Sequence, residues 1–120
     1  MNIEICPLDK VLVDGVAIYL GMEQSVVEAA IGKGQVIGKR CYYFNNGMAI
    51  DYRNNKVDFI EFLGGGDGMP KPTIYGVSAF ETQANDLFDV LKKQNNGVIR
   101  DSENGYSYQF ENISVGVYRE

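Results

Sequence analysis

The stretch GVAIYLGMEQSVVEAAIG at positions 15–32 constrains this chain more than any other. The apolar run 16–20 reads as a strand and Gly21-Met22 as a turn. Val26, Val27, Ala30 and Ile31 then fall on one face of a helix over Gln24–Ile31. Gly32 and Gly34 stop that helix, since glycine enters left-handed backbone without steric cost. Glu23 precedes it, where negative charge suits the positive helix end. A helix of about two turns is not stable alone in water. It must be held by packing, and the residues after it, from 35 to 63, are rich in β-formers. The fold therefore has to place a short helix against a sheet.

A looser version of the same order begins at Gly76, as GVSAFETQANDLFDVLKKQNNG. A strand is expected over 74–80. Ala84, Leu87, Phe88 and Leu91 recur at i, i+3, i+4 and i+7, the core stripe of a helix over 83–93. Thr82 is the expected N-cap. Asp86 and Asp89 precede Lys92 and Lys93, which suits the dipole and side-chain pairing. Asn95-Asn96-Gly97 ends the helix. Between the two helices, strands are expected over 41–44, 48–53 and 56–63. Asn45-Asn46-Gly47 and Asn54-Asn55 are the turns between them, because Asn and Gly accept positive φ. After the second helix, strands are expected over 98–100, 106–110 and 113–118.

The two halves, about 11–63 and 73–120, align on each other. Val27, Ala30 and Ile31 match Leu87, Val90 and Leu91 at one constant offset. Tyr42, Phe44, Asn46 and Tyr52 match Tyr108, Phe110, Asn112 and Tyr118 at another. The expected fold is a single α+β domain of 120 residues, with two helices packed on one face of a twisted antiparallel sheet by internal duplication. Antiparallel sheets tolerate one solvated face, so the opposite face is expected to be open. The segment 64–72 reads as the linker. Its glycines lack the Lys and Ser/Thr of a phosphate-binding loop, and prolines come after them where a helix would be needed. Before the first copy, spaced apolar residues broken by Pro7 read as an extended arm or edge strand.

The side chains on offer exclude much chemistry. There is no histidine, which removes Ser-His-Asp and Cys-His catalysis and most zinc and iron sites. Cys6 and Cys41 have no metal-like spacing and read as reduced, with Cys41 in the core. Asp67 alone among glycines cannot build a calcium loop. Asp51, Asp58 and Glu61 lie on neighbouring strands and are the one carboxylate set that acid–base work would draw on, although solvated strands carry such residues routinely. No metal or other cofactor is expected. A net charge of −5 and a pI near 4.7 disfavour nucleic acid, which needs clustered Lys and Arg. The first residues are not those of an export signal, and no apolar run approaches a membrane span, so the cytoplasm is the expected place. Eight tyrosines and no tryptophan are the conspicuous feature. Tyrosine packs sheets and is also enriched at protein interfaces.

The run Gly21-Met22, Val26-Val27 and Ile31-Gly32 resembles the helix entry of small outer-membrane assembly lipoproteins and of the β-lactamase-inhibitor-protein-like fold. The second copy lacks the Gly-Met turn. The resemblance implies a tandem helix–sheet architecture that inhibits by binding protein. Together with the small acidic chain and the absence of a catalytic set, it points to a non-catalytic, cytoplasmic inhibitor of the immunity-protein kind. The expected partner is a toxin domain, such as a basic nuclease. The expected contacts are Tyr43, Asp51, Asp58, Glu61, Ser107 and Gln109, outward on the open face. The alternative is a small ligand-binding or regulatory domain with a pocket between helices and sheet. A carboxylate enzyme is the third reading.

Overall fold

Left-handed residues mark most reversals of the chain. Asp14 and Gly15, Asn54 and Asn55, and Tyr75 and Gly76 all have positive φ, the pairs that two-residue hairpin turns demand. Phe44, Asn45 and Asn46 do the same in succession at the longer turn. The computed structural model describes residues 1–63, 70–101 and 107–118. Between these turns run β1 (Ile3–Cys6), β2 (Lys10–Val13), β3 (Val16–Ile18), α1 (Gln24–Ile31), β4 (Gln35–Ile37), β5 (Arg40–Tyr43), β6 (Met48–Arg53) and β7 (Lys56–Phe62). The order continues with β8 (Thr73–Ile74), β9 (Val77–Ser78), α2 (Ala84–Asn95), β10 (Ile99–Asp101), β11 (Ser107–Phe110) and β12 (Val115–Tyr118).

The class is α+β with two helices, as expected, but the strands form three sheets and not one. β4-β5-β6-β7 is an antiparallel meander, and β10-β11-β12 is a second. The remaining sheet has the order β3-β2-β1-β8-β9. It is mixed, because β1 pairs with β8 in parallel while its other ladders are antiparallel. The N-terminal arm is thus no edge. Pro7 falls in the β1–β2 turn, and β1 is the central strand that links the two ends of the fold. Pairing across so many residues of sequence leaves no local signal, which is why the arm reads as peripheral.

Each helix seals its own core. Val27 of α1 is fully buried with Ile3, Ile18, Cys41, Tyr43, Met48, Ile50 and Val57. Leu91 of α2 is buried with Ile74, Phe110 and Ile113, and Phe88 stacks edge-on against Tyr108 and Phe110 at 4.9 and 5.4 Å. Ile5 packs against both cores. The expected stripes are narrower than read: Val26, Ala30 and Ala84 are exposed. Thr82 does not cap α2, whose N-cap is Gln83 without a side-chain bond. Asp86 in its first turn and Lys92 and Lys93 in its last lie as the dipole favours.

One polar residue continues the α2 stripe. Asn95 is buried. Its Nδ2 donates to the Val98 carbonyl at 3.0 Å, and its Oδ1 accepts from the Asn112 and Ile113 amides at 2.7 and 3.3 Å. Asn112 returns a bond from its Nδ2 to the Asn95 carbonyl at 3.0 Å. The helix end is thereby fastened to the β11–β12 turn. A Cβ on Gly97 would overlap the Asn112 side chain, which is a packing reason for that glycine.

The residue-by-residue repeat does not carry over to the ladders. Tyr43 pairs with Met48, and Cys41 with Ile50. In the second meander Phe110 pairs with Val115, and Tyr108 with Val117. The equivalent positions are Tyr43 with Phe110 and Cys41 with Tyr108, one residue out of step with the aromatic match. A slip of one residue puts a side chain on the other face. Of the expected linker 64–72, positions 64–69 lie outside the described residues, and Pro70 and Pro72 are buried.

Candidate functional site

Residues opposite one another in a ladder share a face of the sheet. In the β4–β7 meander, Ile37, Arg40, Asp51 and Phe59 form one cross-strand row, and Gln35, Tyr42, Ala49 and Glu61 the next row on the same face. Cys41, Tyr43 and Ile50 lie on the other face, in the α1 core. The first face is the solvated one. At its centre Arg40 donates from Nε and Nη2 to the two carboxylate oxygens of Asp51 at 2.9 and 3.1 Å. Its Nη1 donates to Glu61. The guanidinium also lies 5.9 Å from the Phe59 ring centre, within cation–π range. The Asp51 bonds above all hold the Arg40 pKa above its already high value. The planar fork of Arg fits one carboxylate bidentately and still reaches a second, which Lys cannot do.

Asp51 and Glu61 are therefore brought together, joined through Arg40. Asp58 is not part of that group. Asp51 faces Phe59 while Tyr52 faces Val57, so Asp58 is the extra residue of a β-bulge. It is exposed, and no ion pair reaches it among the described residues. Phe59 is 50% exposed, and Ile37 at the far end of its row 51%. The sequence signal for Phe59 is its place in a strand between two acidic residues, which a reading for polar contacts passes over. Arg40 gives no signal of its own in the sequence, because its carboxylate partners come from other strands.

Tyr43 is the clear correction. The expectation puts it outward on the open face, but it is 3% exposed on the α1 side. Its hydroxyl lies 2.6 Å from that of Tyr52. Burial, then the neighbouring Cys41 and Tyr52, raise its pKa well above the usual tyrosine value. Burial raises Tyr52 too. The outward tyrosine of the Tyr42-Tyr43 pair is Tyr42, which is half-buried. Alternation fixes only that the two face opposite ways, and the position of α1 decides which is inside.

Ser107 and Gln109 lie on β11 in the other meander, half-buried and exposed. Their neighbours Tyr108 and Phe110 take the α2 side. Both thus point away from the helix as expected, but from a different sheet than Asp51 and Glu61. Cys6 and Cys41 are free thiols, and Cys41 is buried. Among the described residues no group of three or more potential metal ligands converges. No described helix is long and apolar enough to cross a membrane. A cleft of about 280 Å³ opens beside the start of α1, lined by Gln24, Val36, Cys41, Tyr52 and Asn55 among others. Gln24, the first residue of α1, is its one lining residue from a helix, and the others belong to the strands and turns of the meander, so it is not the pocket between helices and sheet that the ligand-binding alternative expects.

Comparison with known proteins adds no relative: no family model, no curated protein and no solved structure matches this chain.

Proposed function

We propose that the protein is a non-catalytic binding protein whose solvated meander face docks a protein partner. The partner we propose is a bacterial toxin domain of basic charge, so that the chain acts in the cytoplasm as an immunity protein. The observation that carries the reading is the face itself. An exposed aromatic ring, Phe59, sits on rigid strands beside a hydrogen-bonded charge cluster, with the exposed carboxylate of Asp58 next to it. Aromatic anchors flanked by preorganised charge are what binding hot spots are made of. The net charge of −5 would steer a basic partner toward the complex. Internal duplication belongs to the same proposal, supported by the order helix then antiparallel meander in both halves.

The test is to express the tagged chain in its native host, recover the partner and measure affinity by calorimetry. Phe59→Ala and Asp58→Lys should each weaken binding about tenfold or more, and Asp58→Lys should do so with the melting temperature unchanged. Unaltered binding by both variants overturns the assignment of this face. Absence of any macromolecular partner, with heat stabilisation by a small molecule, overturns the protein-binding reading in favour of a ligand in the cleft beside α1.

A further inference from the structure

The two edges of the β4–β7 meander differ. The β7 edge is occupied near its start. Gly21 donates to the Val57 carbonyl at 2.7 Å, Val57 donates to the Met22 carbonyl at 2.9 Å, and Glu23 bridges to Lys56. The bulge at Asp58 further disrupts it. The β4 edge carries no such cover among the described residues. Ile37 and Arg40 close a two-residue turn at Gly38-Lys39 and so form a hydrogen-bonded pair. Bonding alternates along an antiparallel ladder, so the Val36 N–H and C=O point outward, away from β5. No hydrogen bond from a described residue reaches them. The strand also exposes apolar side chains, with Val36 68% and Ile37 51% accessible.

We infer that the β4 edge accepts an added strand: an extended peptide segment of another protein, with a β-branched residue opposite Val36 and acidic residues at its ends. This goes beyond the docking face proposed above and stands without it. Three observations select the occupant. An unpaired edge is a template for backbone pairing, and alternate side-chain sites give such pairing its specificity. The residue paired with Val36 would share its face, which is the face holding the cleft lined by Val36, Cys41 and Tyr52. Finally, Lys33 and Lys39 flank the strand, both exposed and without an ion pair among the described residues. A second copy of the chain pairing antiparallel about Val36 would set Lys33 against Lys39 at both ends, which is repulsive. Acidic flanks turn both contacts attractive. The lysines thus guard the edge against self-association while leaving it open to a strand of opposite charge.

The probe is a fluorescein-labelled peptide of alternating valine and threonine with two aspartates at each end. Its control carries lysines at those ends. Binding is read by fluorescence anisotropy, and the oligomeric state by sedimentation velocity. The aspartate peptide should bind saturably and the lysine peptide at least about tenfold more weakly, a difference that shrinks with added salt. Val36→Pro removes the outward donor and should abolish binding. The double variant Lys33→Glu with Lys39→Glu leaves the strand intact and should reverse the preference between the peptides. No saturable binding, equal binding of both peptides, a preference unmoved by the double variant, or a concentration-dependent dimer of the chain would each overturn the inference.

Discussion

Replacing Asn95 by alanine tests the claim that one buried amide fastens α2 to the second meander. The side chain makes three bonds to backbone, to the Val98 carbonyl and from the Asn112 and Ile113 amides. The Val98 carbonyl keeps a second donor, the Glu111 amide at 3.2 Å, so its loss is partial. The Asn112 and Ile113 amides lose the acceptor they share. A buried donor left unsatisfied costs about 1–3 kcal/mol. Ile113 is buried, whereas Asn112 is exposed and its amide can recruit water. Counting one full and two partial losses gives about 2–4 kcal/mol, a large fraction of the stability of a domain this size. Urea denaturation followed by far-UV circular dichroism measures it, with the slope checked against wild type. Asn95→Asp is the control. Protonated, it keeps an acceptor for both amides and its O–H can still donate to the Val98 carbonyl, so it should cost less than alanine at a pH where the acid is protonated. A loss below about 0.5 kcal/mol for Asn95→Ala would refute the reasoning, since that is the scale of a surface substitution.

Two further outcomes concern the first core. Tyr43 and Tyr52 have raised pKa values in the folded chain, so above about pH 10 the unfolded state releases protons that the folded state keeps. Stability is therefore full below that pH and should fall as pH rises beyond it, by up to about 1.4 kcal/mol per unit for each such tyrosine. In urea titrations from about pH 8 to 11, spanning the ordinary tyrosine value, Tyr43→Phe should flatten that fall; an unchanged slope would refute the assignment. Gly34→Ala should destabilise by about 1–3 kcal/mol. Its Cβ would sit 2.6 Å from the Cys41 sulfur and 2.7 Å from the Tyr42 carbonyl, and backbone cannot swing aside as a side-chain tip can. A melting temperature equal to wild type would show that β4 is not seated on β5 as described.

Much of the secondary structure is legible in the sequence because its causes are local. Hydrophobic spacing and glycine stops give α1 its bounds, Gln24–Ile31, and Asn54-Asn55 turns the β6–β7 hairpin by accepting positive φ at both positions. Two turns of helix leading into β-formers also settle the α+β class. Facing and partnership are decided elsewhere. Alternation separates Tyr42 from Tyr43 but is symmetric between inside and outside until α1 covers one face. Asp58 and Glu61 are an odd number of residues apart, so regular alternation would put them on opposite faces, and the bulge takes Asp58 out of the pairing altogether. Arg40 meets both carboxylates only because β5, β6 and β7 lie side by side in that order. The N-terminal strand becomes central through a parallel pairing with β8, a contact across most of the chain that no window of residues encodes. Sequence limits what each segment can be, since propensity and turn chemistry act within a few residues. Only the packed structure decides which groups meet, because that depends on register and on which face is buried.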